Sequence, residues 1–194
     1  MQFNLADLFE CVADAAPDRM ALIAGETRLS YRQLDERSNR LAHHLAASGN
    51  RPGDWIGILA QNRAEWIESM LGAYKLRAAP INLNFRYVDE ELRYVLDDAD
   101  LVTLVFERRF APRLLRIRSD LPKLRHFLYL EDGSGEDVSA LGAVSYETAL
   151  AAASNPSDFQ LQVKTLRRRS RVVPPTQPSP AVPAGDDLSS MLPQ

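Results

Sequence analysis

Between Ser30 and Ala152 the chain alternates helical segments with short apolar runs of strand length, and this alternation restricts the fold more than any other feature. The segment LSYRQLDERSNRLAHHLAASG opens with Ser30 and has Gln33 three residues on, a capping box, and then sets Leu34, Leu41 and Leu45 on one face before Gly49. RPGD follows, with Pro52 and Gly53 suited to the central positions of a type II turn, and then the apolar run WIGILA. The pattern repeats: Asn62 is placed to cap NRAEWIESMLGAYKL, API forms a brief strand, Asp89 is placed to cap DEELRYVLDD, and LVTLVF is the next strand. RFAPRLLRIRSDL reads as a helix with Pro112 in its first turn, HFLYL as a strand, and SYETALAAAS as a helix capped by Ser145. Short apolar strands joined through helices specify an α/β fold: a partial doubly wound, mainly parallel sheet with helices on both faces. An N-terminal helix and a hairpin, MALIAGETRLSY turning at Gly25, precede it.

This organisation ends abruptly. From Gln160 the periodicity stops, no aromatic residue follows Phe159, and six of the twelve prolines lie between Pro174 and Pro193. Residues 1–159 are expected to be the folded part and 160–194 an Arg/Pro-rich disordered tail. Charge divides at the same place: the first part carries 18 Lys/Arg against 24 Asp/Glu, the second five against two. The acidic body repels nucleic acid and anionic membrane at long range, leaving only the tail's RRRSR at 167–171 to attract them without specificity. PTQP and PAVP have the spacing of polyproline II ligands but lack the flanking Arg that fixes orientation. No specific nucleic-acid partner is expected. A lone cysteine, Cys11, an N-terminus without a basic-then-apolar signal, and no run of 18 apolar residues point to a cytoplasmic chain without a transmembrane segment.

Residues with chemical potential each have a plainer explanation. GSGED at 133–137 precedes no apolar helix and lacks a following Lys and Ser/Thr, so it reads as a surface loop. His43 and His44 are adjacent on a helix and diverge by about 100°, whereas capture of a metal on one helix needs a spacing of three or four. His126 sits in a strand with no assignable nucleophile, Asp97, Asp98 and Asp100 close a helix as a solvated acidic end, and Cys11 is a small packing residue. Catalytic, cofactor-binding and metal-ligating residues are therefore all assigned as none.

The run from LSYRQLDERSNRLAHH through WIGILAQNRAEWIESMLGAYKLRAAPINLNFRYVDEELRYVLDDADLVTLVFERRF closely resembles the start of adenylate-forming enzymes, specifically acyl-CoA synthetases, over about residues 3–159. Most of that superfamily has glycine where Arg77 stands. The Arg form, with INLNFRYVDEELRY, is similar to the bacterial branch that activates long-chain fatty acids or steroid side-chain acids. The resemblance implies the reaction of a carboxylic acid with ATP and CoA to give acyl-CoA, AMP and pyrophosphate, assisted by Mg²⁺. ATP, Mg²⁺ and CoA are expected only for the intact family enzyme, because its phosphate loop, acidic-aromatic nucleotide motif, ribose-binding Asp and C-terminal Lys do not occur in these residues. The segment AGDDLSSM at 184–191 faintly resembles the connection that precedes the family's phosphate loop. The chain is thus expected to be an N-terminal portion truncated before that loop and inactive alone. The alternatives are one half of a split ligase, or an interaction module that associates with itself, with synthetase subunits, or with partners of its tail.

Overall fold

The computed structural model describes residues 4–153; the tail, its basic and proline-rich motifs and Ser157–Phe159 lie outside the described residues. Helix α1 (Leu5–Ala15) is capped by Asn4, whose Oδ1 accepts from the Ala6 N–H at 2.8 Å. The expected hairpin follows as β1 (Met20–Ala24) and β2 (Thr27–Ser30), turning through Gly25 at φ 60°. Helix α2 (Tyr31–Ala47) opens on the predicted capping box: Ser30 Oγ accepts from Gln33 N at 3.3 Å, and Gln33 Oε1 accepts from Ser30 N at 2.9 Å. In the RPGD turn Asp54 N donates to Arg51 O at 3.1 Å, and Gly53 takes the φ of 91° that the third position of a type II turn demands.

There follow β3 (Trp55–Leu59), α3 (Ala64–Lys75), β4 (Ala79–Asn82), α4 (Asp89–Asp98), β5 (Leu101–Glu107), α5 (Ala111–Ile117), β6 (His126–Leu130), β7 (Val144–Ser145) and α6 (Tyr146–Ala152). The five strands from β3 on are all parallel, in the order β4-β3-β5-β6-β7. Side-chain alternation splits the core between the two faces. Leu59, Leu104, Phe106 and Phe127 pack with Leu92 and Leu96 of α4 and Leu114 and Ile117 of α5. Ile56, Ile58, Val105 and Leu128 pack with Leu41 and Leu45 of α2, Ala73 of α3 and Leu150 of α6. Burial on both faces explains why the strands read as apolar runs and not as alternating ones. A Cβ on Gly72 would lie 2.8 Å from Leu41 Cδ2, so this glycine sets how closely α2 and α3 cross.

Two helix starts differ from the sequence expectation, and a third keeps its residue without the cap bond. Arg63, not Asn62, is the N-cap of α3, and its guanidinium grips Glu65 through Nε and Nη2, both at 2.8 Å, placing an ion pair where a neutral cap was expected. The N-cap of α4 falls one residue early, on Val88, whose N–H donates to Glu91 Oε2 at 3.0 Å; Asp89 is freed to accept two bonds from Arg116, at 2.6 and 3.1 Å. Ser145 is the N-cap of α6, as expected, lying at the end of β7 beside Tyr129, although its side chain makes no cap bond.

Arg77 has a left-handed φ of 65°, the conformation that glycine adopts without strain. Its guanidinium reaches back to α1, donating to both oxygens of Asp7 at 2.8 and 3.3 Å. A bidentate link to the first helix offsets a strained backbone, which accounts physically for an arginine where glycine is the easier residue.

Candidate functional site

In parallel sheets ligands gather beyond the carboxyl ends of the strands, at the point where successive crossovers leave in opposite directions. The chain runs from β3 outward to β4 and then back past β3 to β5, so the reversal falls between β3 and β5. The rim there carries Gln61 and Arg63 after β3, Glu107 to Arg109 at the end of β5, and Glu131 and Asp132 after β6.

Glu107 joins the two central strands. Only 3% exposed, it accepts from Gln61 N at 2.9 Å through Oε1, while Oε2 lies 3.1 Å from Arg109 Nε in an ion pair whose direction is too poor for a hydrogen bond. Arg109 donates to Asp132 Oδ2 from both its backbone N and Nε, each at 2.8 Å, and Ser134 N donates to Oδ1 at 2.9 Å. Burial alone would raise the Asp132 carboxyl, but the bonds from Ser134 and Arg109 hold it well below the usual carboxylate range. Arg108 donates to Glu131 at 2.8 Å and to the Glu136 carbonyl at 2.6 Å.

This donor set does not fit a nucleotide triphosphate. Four carboxylates (Glu65, Glu107, Glu131, Asp132) surround three guanidiniums (Arg63, Arg108, Arg109), each of which is already engaged by carboxylate. A phosphate cradle needs spare N–H groups, usually at a helix N-terminus. The GSGED loop lies on the surface beside this rim, but its Ser134 N–H is taken by Asp132 and it leads to a short 3-10 turn. No group of three His, Cys, Asp or Glu among the described residues is arranged to hold a metal. The rim therefore fastens strand ends together.

A second polar cluster lies under the helices on the other face. Glu68 of α3 accepts from Arg37 Nε at 2.8 Å and from the Tyr146 hydroxyl at 3.0 Å, and Arg37 also donates to Glu147 at 2.6 Å, so α2, α3 and α6 share one network. Burial pushes the Glu68 carboxyl up, with Arg37 and Tyr146 pulling it back. Burial opposes the Arg37 charge too, but its bonds to Glu147 and Glu68 outweigh this and raise its pKa. The Tyr146 phenol is pushed well up, first by burial and then by the Glu68 charge.

The remaining residues singled out from the sequence do not converge. Cys11, expected to pack, is instead exposed on α1, whereas Asp97, Asp98 and Asp100 are exposed at the end of α4 as expected, with Lys123 paired to Asp100. His43 and His44 are half-buried on α2, as their spacing implies. What the sequence did not reveal is that packing α2 over the sheet brings His44 under the influence of His126 on β6. Burial lowers the His44 pKa from 6.5, with His126 and then His43 adding to it; burial and Arg125 lower that of His126. With folded values below the ordinary one, the unfolded chain binds protons first on acidification. Stability is full above the unfolded pKa of 6.5 and is lost as pH falls below it towards the folded values. The melting temperature should thus be lower at pH ~5.5 than at pH ~7.5, and His44→Gln should shrink the difference. An equal or larger pH effect in His44→Gln would contradict this.

A sequence profile described as "AMP-binding enzyme" matches residues 9–191, extending past Phe159 and through AGDDLSSM. Over 156 residues the chain is 46% identical to a medium/long-chain-fatty-acid–CoA/3-oxocholest-4-en-26-oate–CoA ligase of Mycobacterium tuberculosis, covering 80% of this chain and 28% of the relative. It is 42% identical over 160 residues to a 3-oxocholest-4-en-26-oate–CoA ligase of Rhodococcus rhodochrous, covering 82% and 29%. The chain thus spans less than a third of the length of these curated relatives. Among solved structures it is similar to an anthranilate CoA ligase in complex with anthranoyl-AMP, with a TM-score of 0.71, 26% identity, and coverage of 78% of this chain and 28% of the other. A coronafacic acid ligase from Pectobacterium brasiliense shares the fold, with a TM-score of 0.70 at 16% identity, covering 79% and 30%.

Proposed function

Because the chain belongs to the AMP-binding enzyme family, we propose that its folded part is the opening portion of the sheet scaffold of an acyl-CoA synthetase and does no synthetase chemistry by itself. The observation that carries this reading is the rim at the carboxyl ends of β3, β5 and β6. It occupies the position where a doubly wound sheet offers a ligand site, yet its charges are consumed in holding strand ends together. Whole enzymes of this kind join a carboxylic acid to AMP and then to CoA, a reaction that needs preorganised donors for developing phosphate charge. Deleting even one such donor typically costs about 10²–10³ in rate, so a rim whose guanidiniums are each already paired with carboxylate is expected to support no measurable turnover. The relatives' names point to medium- and long-chain fatty acids and a steroid side-chain acid as the substrate class of the complete enzyme.

The test has two arms. The purified chain, given ATP, Mg²⁺, CoA and a panel of fatty and steroid acids, should form no acyl-CoA above a heat-killed control. A chimera in which this chain's matching residues replace those of the Mycobacterium tuberculosis relative should retain acyl-CoA formation. Turnover by the chain alone would refute the inactive half of the proposal, and a folded but inactive chimera would refute the scaffold half.

A further inference from the structure

We propose that Asp132–Gly133 is a latent self-modification site, at which the Gly133 nitrogen closes on the Asp132 side chain to give isoaspartate, and that Arg109 is the clamp that holds it unreacted. The inference goes beyond the scaffold reading and does not rest on it. An aspartate followed by glycine isomerises most readily, because no Cβ on the second residue shields the attacking nitrogen. Asp132–Gly133 is the one Asp–Gly pair in the sequence, which has no Asn–Gly pair. The loop is also open where the ring would form: Gly133, Ser134 and Gly135 are exposed, Gly133 has a φ of 77°, and a Cβ built on it would meet nothing within 4 Å. Glycine's backbone freedom leaves the peptide unit able to turn onto the side chain.

In the reaction the backbone nitrogen of Gly133 bonds to Asp132 Cγ, and the hydroxyl of the protonated carboxyl leaves with the N–H proton as water, closing a succinimide ring. Water then opens the ring. Breaking the bond from nitrogen to Cγ restores aspartate; breaking the bond from nitrogen to the backbone carbonyl carbon leaves isoaspartate, with one more methylene in the main chain. No reactant besides water is needed. The structure opposes the first step at the carboxylate. Asp132 Oδ2 accepts from Arg109 N and Nε, each at 2.8 Å, Oδ1 accepts from Ser134 N at 2.9 Å, and the side chain is 2% exposed. These donors fix both oxygens and favour the ionised form, which has no hydroxyl to lose. Burial works against that charge, and the bonds from Ser134 and Arg109 outweigh it. Arg109 thus supplies both bonds to Oδ2, one of them from a side chain that is itself partly exposed. Isoaspartate would carry its carboxylate on a lengthened main chain, away from these donors, so Arg109 would keep only Glu107 and the tie from the end of β5 to the segment after β6 would be lost.

The complete chain is held at neutral pH and body temperature for several weeks beside a synthetic peptide of residues 130–138, and isoaspartate at position 132 is quantified after digestion by mass spectrometry with electron-transfer fragmentation. The folded chain should isomerise at least about tenfold more slowly than the peptide, a tenfold fall in the protonated fraction being the effect of lowering an acid's pKa by about one. Arg109→Ala should isomerise several-fold faster than the wild type, whereas Arg116→Ala, which breaks an ion pair with Asp89 on α4, should not. A thermal melt shows whether each variant is folded, and the comparison of wild type with peptide stands even if Arg109→Ala is not. An unreactive peptide, a wild-type chain as fast as the peptide, a folded Arg109→Ala no faster than the wild type, or Arg116→Ala as fast as Arg109→Ala would overturn the proposal.

Discussion

Lys75→Ala should lower the free energy of unfolding by about 3–5 kcal/mol, the usual cost of removing one partner from a buried ion pair. Lys75 is the last residue of α3 and its side chain is 0% exposed. Its Nζ donates to Asp35 Oδ1 at 2.7 Å and to Glu10 Oε1 at 2.8 Å, and Asn39 Nδ2 donates to Asp35 Oδ2 at 2.8 Å. The ammonium therefore binds α1 and α2 to the end of α3, where the helix dipole also favours positive charge. Removing it leaves two carboxylates in a shielded place without their cation, whereas removing charge from both sides of the contact need not destabilise. Lys75→Met combined with Asp35→Leu and Glu10→Met should accordingly recover most of the loss. Urea melts followed by far-ultraviolet circular dichroism would measure both variants. A loss in Lys75→Ala below about 1 kcal/mol, the level typical of exposed pairs, would show that the contact is solvated in solution. Against a total stability of about 5–15 kcal/mol for a domain, the expected loss is large enough to populate the unfolded chain.

The backbone architecture was legible in the sequence because its signals are local. The Ser30–Gln33 box, Pro52–Gly53, and the apolar runs of β3, β5 and β6 each specify their conformation within a few residues. The misplaced caps at Asn62 and Asp89 show where local rules lose. At α3 the Arg63–Glu65 ion pair competes with a neutral cap, and at α4 Arg116, 27 residues away in sequence, claims the Asp89 carboxylate. The two-residue β7 has no pattern of its own and exists only because β6 offers it an edge. The polar clusters were not legible for the same reason. Glu68 meets Tyr146 across 78 residues and Lys75 meets Glu10 across 65, and no spacing along the chain encodes such meetings. Sequence reading assigned no catalytic residue, and it also gave no hint that Glu107 would tie β5 to the end of β3.

Phe106→Ala should cost about 3–5 kcal/mol, the range for truncating a large buried aromatic side chain. Phe106 is fully buried in β5, the middle strand of the sheet, and its ring meets that of Phe127 edge-on, with centroids 6.3 Å apart and planes at 87°. The side chain points into the face covered by α4 and α5, and every neighbour there is already fixed by its own element. Strand pairing on both sides of β5 prevents the backbone from moving in to fill the space, so a cavity term adds to the lost transfer energy. Phe106→Leu keeps most of the volume and should cost on the order of 1 kcal/mol. The wider spread between these two variants than between Phe110→Ala and Phe110→Leu would locate the rigid part of the core, because Phe110 is 8% exposed and lies in a short turn after the strand, where relaxation is easier. The cavity should also be felt one residue on. Glu107 takes its position from β5, so a relaxed strand end would loosen the Gln61 N–H bond and speed its hydrogen exchange relative to the Leu104 amide. A loss below about 1.5 kcal/mol in Phe106→Ala would mean that this face collapses freely, and that the sheet is not the rigid frame its packing implies.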